Sequence, residues 1–291
     1  MDKIYRLVDL EQDTDAWREF RKKKAGSSSA AAIMKESRWD TPLSLFEKMV
    51  YDKQVPMNSA MERGKLEEPK ARAWLSEHLA IPFRPVVVEL IEQPRIIASL
   101  DGFIDLGENS TGCEIKAPGL EDHLSAMEGI IPSDYQWQMQ HEMMVTGCRE
   151  WWYLSWDGAK GIPILLKRDE AKIEILKKEE IAFLDRIDTF EPPEPIDKDW
   201  MVLEDEDAEL LAIQYNDLCK GIKSREEWRD KLKAQLLELA NEFHPRTKIR
   251  DLLKIQKITR KGNVDYSKVP ELRGVNLDKY RKEPIESWRI N

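Results

Sequence analysis

Cysteine is scarce in this 291-residue chain, which has only Cys113, Cys148 and Cys219, all widely spaced. An odd number of cysteines without a C-x-x-C pair argues against a disulfide framework and against a cysteine-based zinc site. The four histidines also lack the spacing of zinc ligands. Any metal ion would therefore have to be held by carboxylates.

Long apolar runs are absent as well. No stretch approaches the roughly 18 consecutive apolar residues of a membrane span, and the N-terminal residues show no signal-peptide pattern. We therefore expect no membrane segment and a cytoplasmic location. The ten Trp, seven Tyr and seven Phe are too many for a disordered chain. With 35% charged residues, the chain is expected to be a globular protein with a densely ionic surface.

The net charge of −9 does not by itself suit a polyanionic partner. The basic residues are clustered, however. Residues 241–291 contain 13 Lys and Arg but only 7 Asp and Glu, and a second basic cluster runs from Arg18 to Lys24. Such clusters are more often solvated surface than nucleic-acid contacts. The sequence predicts a basic tail and leaves both interpretations of it open.

Proline marks a boundary in the chain. The sequence EPPEP at residues 191–195, followed by an acidic run, is typical of a stiff and exposed linker. We therefore predict a core over residues 1–190, an acidic and proline-rich linker over 191–207, and a helical extension with a small hairpin and a basic tail over 208–291.

Apolar periodicity and turn residues predict the elements of the core. Helices are expected at 15–24, 43–51, 60–79 and 133–146, and strands at 85–90, 95–100, 112–116, 151–156 and 163–166. Beyond the linker, helices are expected at 208–219 and 226–243 and a hairpin at 258–266. This order predicts an α/β fold with a central mixed sheet flanked by helices.

Three local features refine these expectations. Pro69 is expected to break or begin the helix over 60–79, because proline lacks the amide donor of an interior position. The serine-rich loop after Gly26 is expected to lead into a short helix through a serine cap. Ser133 and Gln136 are spaced as a capping box at the start of the helix over 133–146.

The residue pattern that suggests chemistry is an Asp followed by E-x-K on the next strand. If residues 112–116 form a strand, Glu114 and Lys116 project from one face, and Cys113 and Ile115 point into the core. Asp101, at the end of the preceding strand, could then share a hard cation such as Mg²⁺ with Glu114. Lys116 would lie beside the cation, and the group would face solvent.

A structural alternative remains open on spacing alone. Asp101 could cap a turn, while Glu114 and Lys116 form an exposed face between strands, because the pattern is short and common. The context favours chemistry: an acidic helix precedes the pattern and a glutamine-rich helix follows it. On that second helix, His141 is expected at the polar rim of the site.

A series of short motifs lies in order along the first 160 residues: Asp15-Ala16-Trp17 with Arg21, Ser27 to Ala30, Gly64-Lys65 with Glu68 and Ala71-Arg72, Ser99 to Gly102, Glu114 to Lys116, Tyr135 with Gln138 and Gln140, and Trp152-Tyr153. This series resembles the family of phage lambda exonuclease and YqaJ-like viral recombinase nucleases, within the PD-(D/E)xK superfamily. The resemblance implies a restriction-endonuclease-like core.

The resemblance also implies roles for individual residues. The metal ligands it implies are Asp101, Glu114 and the backbone carbonyl of Ile115. Lys116 would be the catalytic lysine, Glu68 the acidic residue near the metal, and Gln138 the residue beside the scissile phosphate. A 5′-phosphate pocket would be formed by Arg21, Ser28 and Ser99. Two features depart from the family pattern. Leu100 replaces a proline, and Pro69 directly after Glu68 disfavours a helical Glu68 and leaves Glu67 as an alternative.

The function implied by the resemblance is a Mg²⁺-dependent exonuclease, with Mn²⁺ as a possible substitute. It would digest linear double-stranded DNA from 5′ to 3′ and leave 3′ single strands for recombination. A homotrimer, a single-strand annealing protein as partner, and a phage or prophage origin in a bacterial host are implied on the same grounds. The alternatives are an endonuclease or single-strand nuclease of the same superfamily, or a DNA-binding scaffold without catalysis.

Overall fold

The computed structural model describes residues 3–53, 58–241, 246–250 and 252–256. The chain divides into two compact units between Val202 and Leu203. In the first unit, the strands are β1 (Tyr5–Val8), β2 (Ala25–Gly26), β3 (Arg84–Leu90), β4 (Ile96–Ile104), β5 (Thr111–Lys116), β6 (Glu150–Trp156) and β7 (Gly161–Lys167). Its helices are α1 (Asp15–Arg21), α2 (Ala30–Ile33), α3 (Pro42–Val50), α4 (Ser59–Leu79), α5 (Leu120–Met127), α6 (Ser133–Thr146) and α7 (Glu170–Thr189).

These strands form one mixed sheet in the order β1-β3-β4-β5-β6-β7, with β2 added beside β4. The β2–β4 and β5–β6 pairs are parallel and the other pairs are antiparallel. Helices flank this sheet, which confirms the predicted fold class.

Two strands share one edge of β4. Its other edge pairs with β3, so β2 and β5 must both lie on the remaining edge. There, β2 pairs with Ile96 and Ile97, and β5 pairs with the stretch from Gly102 to Ile104. Within the described residues, positions 98–101 therefore have no strand partner on that edge. The gap leaves room for side chains of β4 to reach a site between β2 and β5.

A β-bulge interrupts β4 beside this gap. Val86 of β3 pairs with Leu100, but Arg84 pairs with Phe103, so β4 has one more residue than β3 between the two pairs. The extra length falls at Asp101 and its neighbour. Bulges bend a strand and redirect a side chain, and they are frequent next to active sites. Asp101 therefore departs from the plain alternation of the strand.

Apolar cores lie on both faces of the sheet. The core on the side of α6 and α7 includes Leu100, Met139, Met143, Tyr153 and Leu184. The core on the side of α4 includes Ala71, Leu75, Cys113, Ile115 and Leu154. Because β5 is covered from both sides, the expectation that its polar residues face solvent is wrong for Glu114, which is buried.

Helix α4 runs without a break through Pro69, which contradicts the expected interruption. The Asn58 side chain caps its first turn by accepting from the Met61 amide. Pro69 lies on the exposed side of the helix, where the carbonyl that loses its amide partner remains open to water. Ala71 and Leu75 anchor the next turns in the core. Glu68 is therefore helical despite the following proline.

The two expected serine caps are also wrong. Ser27–Ser29 form a 3-10 turn, and the Ser29 hydroxyl donates to the carbonyl of Gly26 rather than capping α2. At the start of α6, the Ser133 hydroxyl donates to the carboxylate of Glu36. The Ser29 bond closes a local turn, whereas the Ser133 bond joins α6 to a distant part of the chain, and neither hydroxyl group satisfies the first amides of a helix.

Four elements of the first unit had not been expected. They are the edge strand β1, the short strand β2, helix α5 directly after β5, and the 20-residue helix α7. On α7, Ile173, Leu176 and Ile187 are buried at helical spacing. Near the C-terminal end of the first unit, inside the predicted linker, Lys198 donates to the Ser37 carbonyl at 3.1 Å.

The second unit contains one long helix, α8 (Glu206–Asn241), and a hairpin of β8 (Arg246–Ile249) and β9 (Leu253–Gln256). The sequence had predicted two helices here, but α8 continues through Gly221 for 36 residues. The hairpin predicted at 258–266 and most of the basic tail lie outside the described residues. In the part of the chain that the structure describes, no helix combines the length and the apolar character needed to cross a membrane.

Candidate active site

The predicted metal ligands meet where the bulge of β4 faces β5. Oδ2 of Asp101 accepts a hydrogen bond from the backbone N–H of Ile115 at 2.8 Å. In an extended strand, the N–H and C=O of one residue point to the same side. The Ile115 carbonyl is therefore directed toward the side of β5 on which Asp101 lies, as a carbonyl ligand would need to be.

Glu114 and Lys116, two residues apart on β5, project from the same face of that strand. The Lys116 ammonium group forms an ion pair with Oε1 of Glu114, and it also lies 5.1 Å from the centre of the Tyr135 ring. Oε2 of Glu114 is buried and receives no hydrogen bond from the described residues. A buried carboxylate oxygen without a donor is costly and calls for a cation or another positive partner.

The ionisable groups at this junction shift one another's pKa values. Burial, and then the nearby Glu114 and Glu68, raise the pKa of Asp101 well above its ordinary value. Burial alone would lower the pKa of Lys116, but Glu114 and Asp101 outweigh it and raise that pKa above its ordinary value. Lys116 is thus a cation in this arrangement. The crowded carboxyl groups resist ionising together, and a bound cation would favour their ionised forms.

Glu68, and not Glu67, lies on the side of this group. Oε1 of Glu68 is 3.1 Å from Nη1 of Arg72, and the same nitrogen also donates to the main-chain carbonyl of Asp101. Glu67 points elsewhere, because its carboxylate accepts from the indole N–H of Trp156 at 3.0 Å. Burial raises the pKa of Glu68, although Arg72 opposes the shift. Arg72 therefore connects the acidic helix α4 to the bulge.

Gln138 reaches the same group through a residue that the sequence analysis missed. Its Nε2 atom donates to Oε1 of Glu142, one helical turn further along α6, at 3.4 Å. Glu142 is fully buried and faces the carboxyl group of Glu114. A glutamate among the apolar residues of a buried helix is itself a signal, and Glu142 is followed directly by Met143 and Met144.

His141, in contrast, is not at the rim of the site. It has no exposed surface, and its Nδ1 is 2.6 Å from Oε1 of Glu180 on α7. Its Nε2 donates to the carbonyl of Ile97 on β4 at 2.8 Å. The expectation of a rim position is wrong, because this imidazole joins α6, α7 and the sheet in the core.

The three residues of the predicted phosphate pocket form a second group. The guanidinium of Arg21 donates to the Ser28 hydroxyl at 3.1 Å and lies 4.4 Å from the centre of the Trp17 ring. The indole N–H of Trp17 in turn donates to the hydroxyl of Ser99 on β4 at 2.9 Å. Trp17 therefore connects the arginine of α1 to the strand that also carries Asp101.

A basic cavity of about 420 Å³ opens beside Arg21 and Ser28, and Lys22, Lys24 and Lys48 also line it. Burial lowers the pKa of Arg21, an effect that Asp13 partly offsets, and the group remains a cation at neutral pH. A half-buried guanidinium that presents several donors beside a hydroxyl group suits a phosphate.

The carboxyl groups near the bulge also suit a metal ion. They are hard oxygen donors whose ionised forms a cation would favour, and Oε2 of Glu114 has no donor among the described residues. Hard divalent cations such as Mg²⁺ prefer carboxylate and carbonyl oxygens. As the side chains now stand, no three Asp, Glu, His or Cys residues in the described ranges are spaced to enclose an ion. Binding would therefore draw these oxygens together.

Comparisons with known proteins point in one direction. Residues 16–149 match the model of the YqaJ-like viral recombinase domain. LHK-Exo, solved in complex with dAMP, is similar at 26% identity and a TM-score of 0.52, over 61% of this chain and 94% of that one. A second structure of this alkaline exonuclease, from Laribacter hongkongensis, gives 24% identity and 0.51 over the same shares, and indicates the fold alone. None of the curated proteins matches the chain.

Proposed function

We propose, from the match of residues 16–149 to the YqaJ-like viral recombinase domain, that the chain is a metal-dependent exonuclease of the lambda exonuclease type. It would digest linear double-stranded DNA from 5′ to 3′ and leave 3′ single strands for phage-type recombination. One observation carries the proposal. Strand β4 holds both Ser99, which belongs to the phosphate-binding group, and Asp101, which belongs to the carboxylate group, two residues apart.

The cation would be held by Asp101, Glu114 and the carbonyl of Ile115. When bound, Mg²⁺ or Mn²⁺ would activate a water molecule and offset the charge that develops on the phosphodiester. Mg²⁺ commonly uses one or two carboxylates and leaves other positions to water and phosphate. The Ile115–Asp101 hydrogen bond and the Lys116–Glu114 ion pair hold the donor groups in place before DNA binds.

The other residues of the site act on the phosphate. The charged Lys116 would stabilise the negative charge of the transition state, because an ammonium group in a buried site acts strongly at short range. The Gln138 amide has a second N–H besides the one that it donates to Glu142, and would use it to orient the scissile phosphate. Glu68 would lie near the cation, held by Arg72.

Arg21, Ser28 and Ser99 would bind the terminal 5′-phosphate. Arg21 is pre-positioned by its stacking on Trp17, so that less rotamer entropy is lost on binding. A terminal phosphate fixed at this pocket would place the next phosphodiester at the carboxylate group. This arrangement explains how an exonuclease could require a DNA end.

The assembly and the partners are proposed from the family resemblance. The protein would act as a homotrimer on double-stranded DNA ends in the cytoplasm of a bacterial host, encoded by a phage or prophage. A single-strand annealing protein would take up the 3′ strand that it leaves. If the trimer is a ring with a central channel for DNA, it would confine its positive potential to that channel while the net charge of each chain remains −9.

A single assay tests this proposal. Linear duplex DNA with and without a 5′-phosphate, and closed circular DNA, are incubated with the protein in millimolar Mg²⁺ or in EDTA. We expect progressive shortening of the phosphorylated linear duplex in Mg²⁺ only, with 5′-mononucleotides released. Cutting of the closed circle would indicate an endonuclease instead, preference for single strands a single-strand nuclease, and DNA binding without cleavage a scaffold.

A further inference from the structure

Glu142 is a buried carboxyl group in the middle of α6 that forms no ion pair within the described part of the chain. It has no exposed surface, and its neighbours Met139 and Met143 belong to the apolar core. The described residues supply one weak hydrogen bond to its Oε1, from Gln138 at 3.4 Å, and none to its Oε2. Carboxyl groups are rarely buried in this way unless a charge or several donors compensate them.

The nearest counterpart of Glu142 has the same deficiency. The carboxyl group of Glu114 lies within hydrogen-bonding reach of it, and neither Oε2 accepts from an N–H or hydroxyl donor in the described part of the chain, so only a shared proton or a cation can satisfy the pair. The Lys116 ammonium group is bonded to the other oxygen of Glu114. Two buried acidic groups therefore meet with unsatisfied oxygens, and both are more than nine-tenths buried.

We propose that Glu142 is a third carboxylate ligand of the cation that Asp101 and Glu114 bind, an inference that rests on the proposed function. A divalent cation would supply positive charge to both unsatisfied oxygens. The weak bond from Gln138 would yield when Glu142 turns toward the ion, and the Gln138 amide would then be free to contact the phosphate. The inference thus explains why the glutamine and the glutamate lie one turn apart on α6.

A third carboxylate also predicts a preference among cations. Ca²⁺ takes six to eight oxygen ligands in flexible geometry, while Mg²⁺ keeps several waters and usually uses one or two carboxylates. Glu142 should therefore contribute more to the binding of Ca²⁺ than to that of Mg²⁺. Mn²⁺, which also accepts carboxylate ligands, offers a second probe.

The test is a titration of the DNA-free full-length chain with Ca²⁺, Mn²⁺ and Mg²⁺ by calorimetry. We expect Glu142→Gln to weaken Ca²⁺ binding about tenfold or more, in the range seen when a group supporting a metal site is lost, and to weaken Mg²⁺ binding less. The matched control is Glu180→Gln, because Glu180 is also fully buried with an unbonded Oε2 but pairs with His141. The control should leave all three affinities unchanged.

The outcomes separate this inference from the proposed function. If the wild-type chain binds none of the cations, the metal dependence of the proposed function fails. If the wild type binds them and Glu142→Gln binds Ca²⁺ equally well, only the assignment of Glu142 is overturned. The same holds if Glu180→Gln loses affinity to the same extent, because the effect would then be general to buried glutamates.

A second measurement covers the case of poor folding. Gln keeps the size and polar character of the Glu142 side chain, so the melting temperature of Glu142→Gln in EDTA should stay close to that of wild type, while the further increase on adding Ca²⁺ should shrink. A lower melting temperature in EDTA, together with an unchanged increase on adding Ca²⁺, would overturn the proposal. If Glu142→Gln does not fold, Glu142→Asp, which retracts the carboxylate by one methylene, is titrated instead with the same expected loss.

Discussion

The backbone N–H of Ile115 donates to the carboxylate of Asp101 at 2.8 Å, so a side chain of the bulge takes the place of a main-chain acceptor for β5. Asp101 therefore has two separable properties. It completes the hydrogen bonding at the end of the β4–β5 pair, and it carries a charge at the candidate active site. Substitutions can remove one property and keep the other.

We expect Asp101→Asn to abolish cleavage of linear duplex DNA with little loss of stability. The amide oxygen of asparagine can still accept from Ile115, but the charge needed for a cation is lost. Asp101→Ala should abolish cleavage and also lower the free energy of unfolding by about 1–3 kcal/mol, because a buried N–H is left without an acceptor. Cleavage assays and urea unfolding of both variants test this prediction, and near-wild-type cleavage by Asp101→Asn would contradict it.

Two neighbouring glutamates provide a matched pair on α4. Glu68→Gln should reduce the rate of cleavage at least about tenfold, because Glu68 lies beside Arg72 and the carboxylate group. Glu67→Gln should change the rate less than twofold, because Glu67 is occupied with Lys70 and the Trp156 indole. The rates are measured on the same duplex at saturating Mg²⁺. The reverse order would assign the catalytic role to Glu67.

Arginine geometry at the phosphate pocket gives a third prediction. Arg21→Lys keeps the charge but loses the fork of donors and the stacking on Trp17, so the preference for 5′-phosphorylated over 5′-hydroxyl ends should shrink about tenfold. Arg84→Lys on β3 is the control, since Arg84 is exposed and does not line this pocket. If wild-type protein digests both kinds of end at the same rate, the pocket has no role in end recognition.

The buried pair of His141 and Glu180 predicts a pH-dependent contribution to stability. Burial lowers the pKa of His141, but Glu180 and the Ile97 carbonyl outweigh it and raise the pKa above its ordinary value. The stabilisation is therefore fully present below the unfolded pKa, about 6.5, and is lost as pH rises through the higher folded pKa.

We therefore expect His141→Gln to lower the free energy of unfolding by about 3–5 kcal/mol at pH 6, the usual range for breaking a buried pair. The difference from wild type should decrease at higher pH. Urea unfolding of both proteins between pH 6 and pH 9 measures it. A difference that grows with pH would mean that His141 is neutral in the folded protein.

Removal of the second unit tests the basic tail. A chain ending at Val202 keeps the first unit whole, including the contact of Lys198 with Ser37. If the tail binds DNA, the slope of log affinity against log salt should fall by about one unit for each lost phosphate contact. Filter binding or anisotropy in Ca²⁺ measures the slope without cleavage. An unchanged slope would leave the second unit with a role in assembly or in partner binding.

Local patterns predicted much of the site. Alternation and turn residues located β4, β5 and α6, and hence the neighbourhood of Asp101, Glu114 and Gln138. They missed the bulge, because it depends on the register of β4 against β3, which no local pattern encodes. They also missed the burial of Glu114, because helices from distant parts of the chain cover both faces of its strand.

The partner of Glu142 could not be found from the sequence for the same reason. Its carboxyl group meets Glu114 only when α6 packs across the sheet, and the two residues are distant in the chain. Helix α7 is a different case from Glu142, because the helical spacing of its apolar residues is visible in the sequence alone. Elements that follow from the local spacing of apolar residues could be predicted from the sequence, whereas contacts that depend on the packing of distant segments could not.

The shared edge of β4 has a consequence for how far the proposed nuclease would advance. The end anchor lies near β2 and the carboxylate group lies beside β5, and both strands are pinned to β4 by main-chain hydrogen bonds. The distance between the end anchor and the carboxylate group is therefore set by the backbone of β4, which rises roughly 3.3 Å for each residue. Side-chain substitutions can weaken the phosphate-binding group or the carboxylate group without changing this distance. A change of strand register would alter the distance, and with it the number of nucleotides that the proposed nuclease removes at each step.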